Sequence, residues 1–135
     1  MPHSPQEFYQ KMAKRELTKQ GEHNKALGQK GERRARRYLF WHGWKILDKN
    51  YKTPFGEIDI VARKKGIIAF IEVKTRLSDI FGLPSEAVDK RRQSRYIMGA
   101  NYYLVNRNID LTVRFDIIEI FRGQLNHIEN AFYAK

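Results

Sequence analysis

The chain contains no cysteine, so no disulfide can staple it and no thiolate can hold zinc. Its four histidines, His3, His23, His42 and His127, are scattered and show no metal-ligand spacing. No apolar run approaches the length that crosses a bilayer. The polar N-terminus, with prolines at 2 and 5, does not read as a targeting segment. Internal repeats, low-complexity runs and glycine-rich phosphate loops are also missing. These absences point to a soluble cytoplasmic protein with no membrane partner. Acidic residues are few as well: 15 Asp and Glu stand against 26 Lys and Arg, for a net charge of +11 and a pI near 10.0. The basicity is densest in residues 1–37, which hold ten Lys and Arg against four Asp and Glu. Such a field favours a polyanion. A solvated basic face is the bland alternative, and the carboxylate pattern described below favours nucleic acid over it.

What is present is enough for one core. With 135 residues, 41% hydrophobic and 13% aromatic, the chain reads as a globular domain of ordinary size. Residues 1–23 read as a basic accessory segment. Ser4-Pro5-Gln6-Glu7 can start a helix there, with Pro5 at its first position, and Gly21 is expected to end it. Residues 24–135 read as the domain. Its first helix is expected over 24–42, capped by Asn24 and stopped by Gly43. Leu27, Gly31, Ala35, Tyr38 and Leu39 form the inward face, and Arg33, Arg34, Arg36 and Arg37 face mostly outward. Gly28 and Gly31 would let this helix approach a sheet closely. Strands follow over 44–50 and on either side of Lys64-Lys65-Gly66, with 51–55 as a connection. A loop over 77–85 leads to a helix from about Glu86 to Asn106, with Val88, Ile97, Ala100 and Leu104 as its core face. Strands over 111–121 and 124–128, joined at Arg122-Gly123, complete the domain, and the aromatics of 131–133 are expected to dock on the core.

The central hairpin carries the chemistry. Along 56–63, Ile58, Ile60 and Ala62 should point one way and Glu57, Asp59 and Val61 the other. Along 67–76, Ile68, Phe70, Glu72 and Lys74 share one face, and Ile67, Ala69, Ile71 and Val73 the opposite one. Two carboxylates and a lysine therefore fall inside a very apolar hairpin, where a lone buried charge costs several kcal/mol. Asp59 and Glu72 are hard oxygen donors on adjacent strands and suit Mg2+ or Mn2+. Lys74, one pleat beyond Glu72, is placed to orient a water or balance charge on a phosphate. The packing alternative is an ion-paired strand pair in which Lys74 neutralises Glu72 or Asp59. Glu32 lies at the edge of its helix's apolar stripe, either paired with Arg36 on the surface or aimed at the metal as a third acid. Arg114 and Asp116 read first as structural ion-pair or edge residues and second as site residues.

These pieces resemble a known family. Gly28-x-x-Gly31-Glu32-x-x-Ala35, Gly56-Glu57-Ile58-Asp59, Phe70 to Arg76, Phe81-Gly82, Lys90 and Arg114-Phe115-Asp116 are similar, in order and spacing, to the YraN-like family of bacterial proteins. An acid followed on the next strand by Glu-x-Lys is similar to the PD-(D/E)xK nuclease superfamily, which includes archaeal Holliday-junction resolvases. Ile58 stands where the superfamily signature carries proline. The resemblance implies a restriction-endonuclease-like α/β domain, with a mixed central sheet flanked by helices in the order α-β-β-β-α-β-β. It implies a metal-dependent endonuclease acting on DNA, branched DNA included. Glu32, Asp59, Glu72 and Lys74 would be catalytic, with Mg2+ or Mn2+ on Asp59 and Glu72. Arg76, Lys90 and Gln93 would meet nucleic acid. Likeness to resolvases implies a homodimer. Two alternatives stay open: a non-catalytic nucleic-acid-binding module that retains the fold, and an adaptor acting through the basic N-terminal segment.

Overall fold

The computed structural model describes residues 4–76 and 90–133, without the side chains of 13–21. The first element begins as the sequence predicts. Ser4 accepts the Glu7 N–H on its hydroxyl while the Glu7 carboxylate accepts the Ser4 N–H, a reciprocal cap, and Pro5 takes the first helical position. Helix α1 then runs unbroken from Pro5 to Trp41. Gly21 and Asn24 lie inside it and do not divide it in two. An interior glycine costs a helix only about 1 kcal/mol, whereas a break would leave two further sets of backbone groups to satisfy. The stop is where it was expected: Gly43 follows the His42 cap with φ at 85°, a conformation that suits glycine.

Strands β1 (Lys45–Thr53), β2 (Gly56–Lys64) and β3 (Ile67–Arg76) form an antiparallel meander. Helix α2 (Lys90–Val105) follows, then β4 (Thr112–Phe121) and β5 (Gln124–Phe132). Strand β4 pairs parallel with β3 and antiparallel with β5, giving one mixed sheet in the order β1-β2-β3-β4-β5. The expected α-β-β-β-α-β-β domain is therefore present, and its five-stranded mixed sheet flanked by helices is compatible with a restriction-endonuclease-like fold.

Two strands are longer than the sequence predicts. β1 continues to Thr53 because Tyr51, Lys52 and Thr53 pair with Ile58, Glu57 and Gly56, leaving only Pro54-Phe55 as the turn. β5 continues to Phe132, whose ring stacks on Phe115 at 5.1 Å between centroids; Tyr133 is exposed. The expected loop over 77–85, the Phe81-Gly82 pair, Val88 and the start of the second helix lie outside the described residues.

Each face of the sheet carries one helix. Ala35 and Leu39 of α1 pack on Trp44, Ile60, Ala62, Ala69, Ile71, Ile118 and Ile120. Tyr96, Ala100 and Tyr103 of α2 pack on Val61, Ile68, Phe70, Phe115 and Ile117 on the other face. Ile97 and Leu104, expected at the centre of the α2 face, are only partly buried; the tyrosines at 96 and 103 take the deep positions. Gly31 is where α1 crosses β3, and a methyl group there would collide with Thr75 Oγ1. Gly28 meets nothing close, so only one of the two glycines serves helix–sheet packing. Arg34, expected outward, donates to the Gly123 carbonyl and ties α1 to the β4–β5 turn. Arg114 and Asp116 form the expected ion pair, with two hydrogen bonds of 2.9 Å.

Candidate active site

The β2–β3 ladder is regular from Lys64↔Ile67 to Ile60↔Ile71 and stops there. Alternation along β2 breaks at the same point. Ile60 and Ala62 face α1, but Ile58 joins Val61 on the α2 side, contrary to the strict alternation expected of 58, 60 and 62. The break sits at Asp59. Opposite it on β1, Asn50 adopts φ 49°, a left-handed conformation that asparagine tolerates better than most residues. Tyr96 from α2 enters the opening: its hydroxyl accepts the Asp59 N–H at 3.2 Å and donates to the Ile71 carbonyl at 3.5 Å. The Asp59 carboxylate takes the Val73 N–H at 2.9 Å. A tyrosine and an aspartate thus satisfy backbone groups where the strands part.

The acids converge at this opening. Glu72 is 2% exposed on the α2 face of β3. Its Oε1 is held by Lys74 Nζ at 2.8 Å and Arg92 Nη2 at 3.2 Å. Its Oε2 is buried and has no hydrogen-bond partner. Glu32 reaches the region from α1 and Glu57 from β2. Their link is Asn50, whose amide nitrogen, in the orientation its surroundings require, donates to Glu32 Oε2 at 2.8 Å and Glu57 Oε1 at 3.0 Å.

This geometry sets the proton affinities. Burial pushes the Asp59 carboxyl up to about 7; the Val73 N–H opposes this, and the nearby Glu32, Glu72 and Glu57 charges add to it. Burial, then the Glu57 charge, raises Glu32, against the weaker pull of Arg36 and the Asn50 hydrogen bond. The Tyr96 phenol is held well above 10, first by burial and then by Asp59 and Glu72, so it stays neutral. Beside these groups lies a cleft of about 250 Å³ lined by Glu57, Asp59, Arg92, Arg95 and Tyr96, among others.

The residues expected at the site are therefore partly gathered. Asp59, Glu72 and Lys74 come together at the opening, and Glu32 stands within electrostatic range of Asp59. Arg76 ends β3 beside a groove shared with Gly28, Lys74 and Thr75 and does not line the acid cleft. Lys90 is exposed at the first described position of α2, and Gln93 is half-buried one turn later. The ion pair expected by the packing alternative is also present, between Lys74 and Glu72. Sequence reasoning missed Asn50, Arg92, Tyr96 and Glu119. Glu119 is buried, faces the same side as Lys74 and pairs with it in the β3–β4 register. A carboxylate amid Ile117, Ile118 and Ile120 was the available signal, of the same kind that marked Glu72.

Among the described residues, no three His, Asp or Glu side chains are grouped so as to hold a metal by themselves. Two hard carboxylates, one with an unsatisfied buried oxygen and the other resisting ionisation, are a donor set that would fit a divalent cation. No helix among the described residues is long and apolar enough to cross a membrane.

Residues 31–120 match the family described as Uncharacterised protein family UPF0102, a span that holds Glu32, Asp59, Glu72 and Lys74. A UPF0102 protein of Thermodesulfovibrio yellowstonii is 48% identical over 107 residues, covering 79% of this chain and 96% of its own. Those of Caldanaerobacter subterraneus and Clostridioides difficile are 46% and 44% identical, covering 80% and 81% of this chain and 95% and 98% of theirs. The resemblance read from the Gly-Glu-Ile-Asp and Glu-x-Lys pieces is thus borne out at the level of the family: the chain belongs to the uncharacterised protein family UPF0102.

Proposed function

We propose that the protein is a metal-dependent endonuclease that hydrolyses phosphodiester bonds in DNA, branched DNA included. The observation that carries this reading is Glu72 Oε2, a buried carboxylate oxygen without a partner. It belongs to a cluster in which Asp59 is pushed up to about 7. Lys74 and Arg92 are both engaged on the other oxygen of Glu72. Glu72 Oε2 is therefore left without a partner while Asp59 resists ionisation, and a divalent cation on Asp59 and Glu72 would relieve both. Bound there, Mg2+ or Mn2+ would supply Lewis acidity. Lys74, fixed by Glu72, would orient the attacking water and offset charge on the phosphate. Arg92 and Arg95 line the cleft and engage the phosphate oxygens. Burial first, and then the Glu32, Glu72 and Glu57 charges, hold the Asp59 proton affinity up, and a cation bound there would replace that proton. In the net reaction the water oxygen bonds to phosphorus, the sugar oxygen leaves with the bonding electrons, and the proton released by water ends on that sugar oxygen through solvent. Arg76, Lys90 and Gln93 provide outer contacts to nucleic acid, and two copies form a symmetric dimer.

The non-catalytic binding module is the second reading, favoured by the closed Glu72–Lys74 pair. Incubation with linear, nicked, flapped and four-way DNA, with and without Mg2+ or Mn2+, separates the two. The nuclease reading expects cation-dependent cleavage that falls at least about a hundredfold in Lys74→Ala. Binding to these substrates with no cleavage under any cation contradicts it. Light scattering at assay concentration tests the dimer, and a monomer mass removes it.

A further inference from the structure

A second feature of the surface lies along the outer side of α1, against β1. Lys30, Arg33, Arg36, Arg37 and Lys49 line a groove of about 740 Å³ floored by Ile46, and no acidic side chain lines it among the described residues. Phe40 closes one end. Trp41 stands beside it, with the rings 5.5 Å apart between centroids and nearly perpendicular. Phe40 is 66% exposed and Trp41 80%. Phe8, Tyr9 and Met12 are exposed as well, near the start of α1; Phe40 and Trp41 differ in standing together beside a cationic groove, an arrangement a soluble surface ordinarily avoids unless it serves binding. From Lys30 to Phe40 the helix rises about 15 Å, so phosphate-binding cations and stacking faces follow one another along a single track. At its inner side the groove borders the acid cluster: Arg36 acts on Glu32, and Asn50, which bridges Glu32 and Glu57, follows Lys49.

We infer that this groove binds an unpaired polynucleotide strand, with Arg33, Arg36, Arg37 and Lys49 on its phosphates and Phe40 and Trp41 stacked on its bases. Five cations alone would serve duplex and single strand alike. The aromatics decide between them. In a duplex the base faces are covered by their neighbours, whereas an unpaired strand offers every base to a ring, with little regard to sequence. The cations line a shallow, elongated groove, which a single strand fits better than the plane of a bilayer does. The inference deepens the proposed function by naming single-stranded regions as what the protein holds. It rests on the nucleic-acid part of that reading and needs no catalysis.

The test is equilibrium binding by the full-length protein in EDTA, so that no cleavage contributes. The probes are labelled oligo-dT, oligo-U, a blunt duplex of equal length, and vesicles of anionic phospholipid. The expected result is at least about tenfold tighter binding of a single strand, deoxy or ribo, than of duplex. Phe40→Ala and Trp41→Ala should each weaken single-strand binding about tenfold and leave duplex binding unchanged. Both side chains are exposed, so thermal melts should match the parent. Arg33→Ala with Arg37→Ala should flatten the log–log salt dependence on oligo-dT by about 1.4, two phosphate contacts' worth. Duplex bound as tightly as single strand, aromatic variants without effect, or retention by vesicles in place of oligonucleotides would overturn the inference. Single-strand binding without cleavage of any substrate would remove the nuclease reading and leave this one standing.

Discussion

Two aspartates show how the same side chain is put to opposite uses. Asp116 is fully buried, yet its carboxyl is held below the usual range: burial alone would raise it, but His127, the two Arg114 hydrogen bonds and the Asn130 N–H outweigh that. A depressed folded value means stability that is present above the unfolded value of about 3.9 and is lost as pH falls through the folded one. Asp116→Ala strands the Arg114 guanidinium, and urea denaturation should show a loss of about 3–5 kcal/mol at neutral pH. Asp59 is the reverse case. Its folded value of about 7 lies above the unfolded one. In the absence of metal, the folded state therefore holds a proton that the unfolded chain has released, and stability should fall as pH rises from about 4 to about 7. The penalty is at most on the order of 4 kcal/mol above that window. Urea midpoints in EDTA across pH 4–8 should show this decline in the parent and a flatter profile in Asp59→Asn; parallel profiles would contradict it.

At the scale of elements, the crossing of α1 over β3 depends on one missing methyl. Gly31→Ala drives Cβ into Thr75 Oγ1 and should cost about 1–3 kcal/mol by overpacking. Thr75→Ala in the same chain should restore most of it, because the hydroxyl it removes is buried without a hydrogen-bond partner. No restoration would mean that the strain lies elsewhere. The first turns of α1 contribute little to either core: residues 4–12 and 22–26 are exposed. Deletion of 1–23 should accordingly leave a cooperative melt, and loss of cooperativity would place the domain boundary nearer the N-terminus. Element order and most strand positions were legible because apolar, β-branched runs are bounded by turn residues: Gly43, Lys64-Lys65-Gly66 and Arg122-Gly123 punctuate the chain. The continuity of α1 was not, since a glycine and a capping residue look alike inside a helix and at its end. The faces of Ile68 to Lys74 followed from simple alternation. Ile58 did not, because the ladder opens at Asp59 and is held open by Tyr96, 37 residues further on in α2. Such a long-range wedge leaves no periodic trace. Asn50 was hidden for the same reason: its role depends on facing Asp59 across β1 and β2 with a left-handed backbone.

Over the whole molecule, a chain with a net charge of +11 concentrates four carboxylates, Glu32, Glu57, Asp59 and Glu72, at one opening of its sheet. Around them stand Arg36, Lys74, Arg92 and Arg95, and the basic groove of α1 leads toward them. On the proposed reading, the general field would draw in a polyanion and the acid cluster would meet it with a bound cation. That bound cation would turn these acids into a stabilising site by mass action, worth about 2.7 kcal/mol at a hundredfold excess over Kd. Lys74→Ala should lower the stability of the metal-free protein, since it uncovers Glu72, while the response to metal survives. The most direct measurement is therefore thermal melting of the parent and Asp59→Asn at pH 8, each in EDTA and in excess Mg2+ or Mn2+. The account predicts that the parent gains several degrees with metal, and that Asp59→Asn is at least as stable as the parent in EDTA and gains nothing from metal. An Asp59→Asn protein that melts below the parent in EDTA, together with a parent indifferent to both cations, would contradict it.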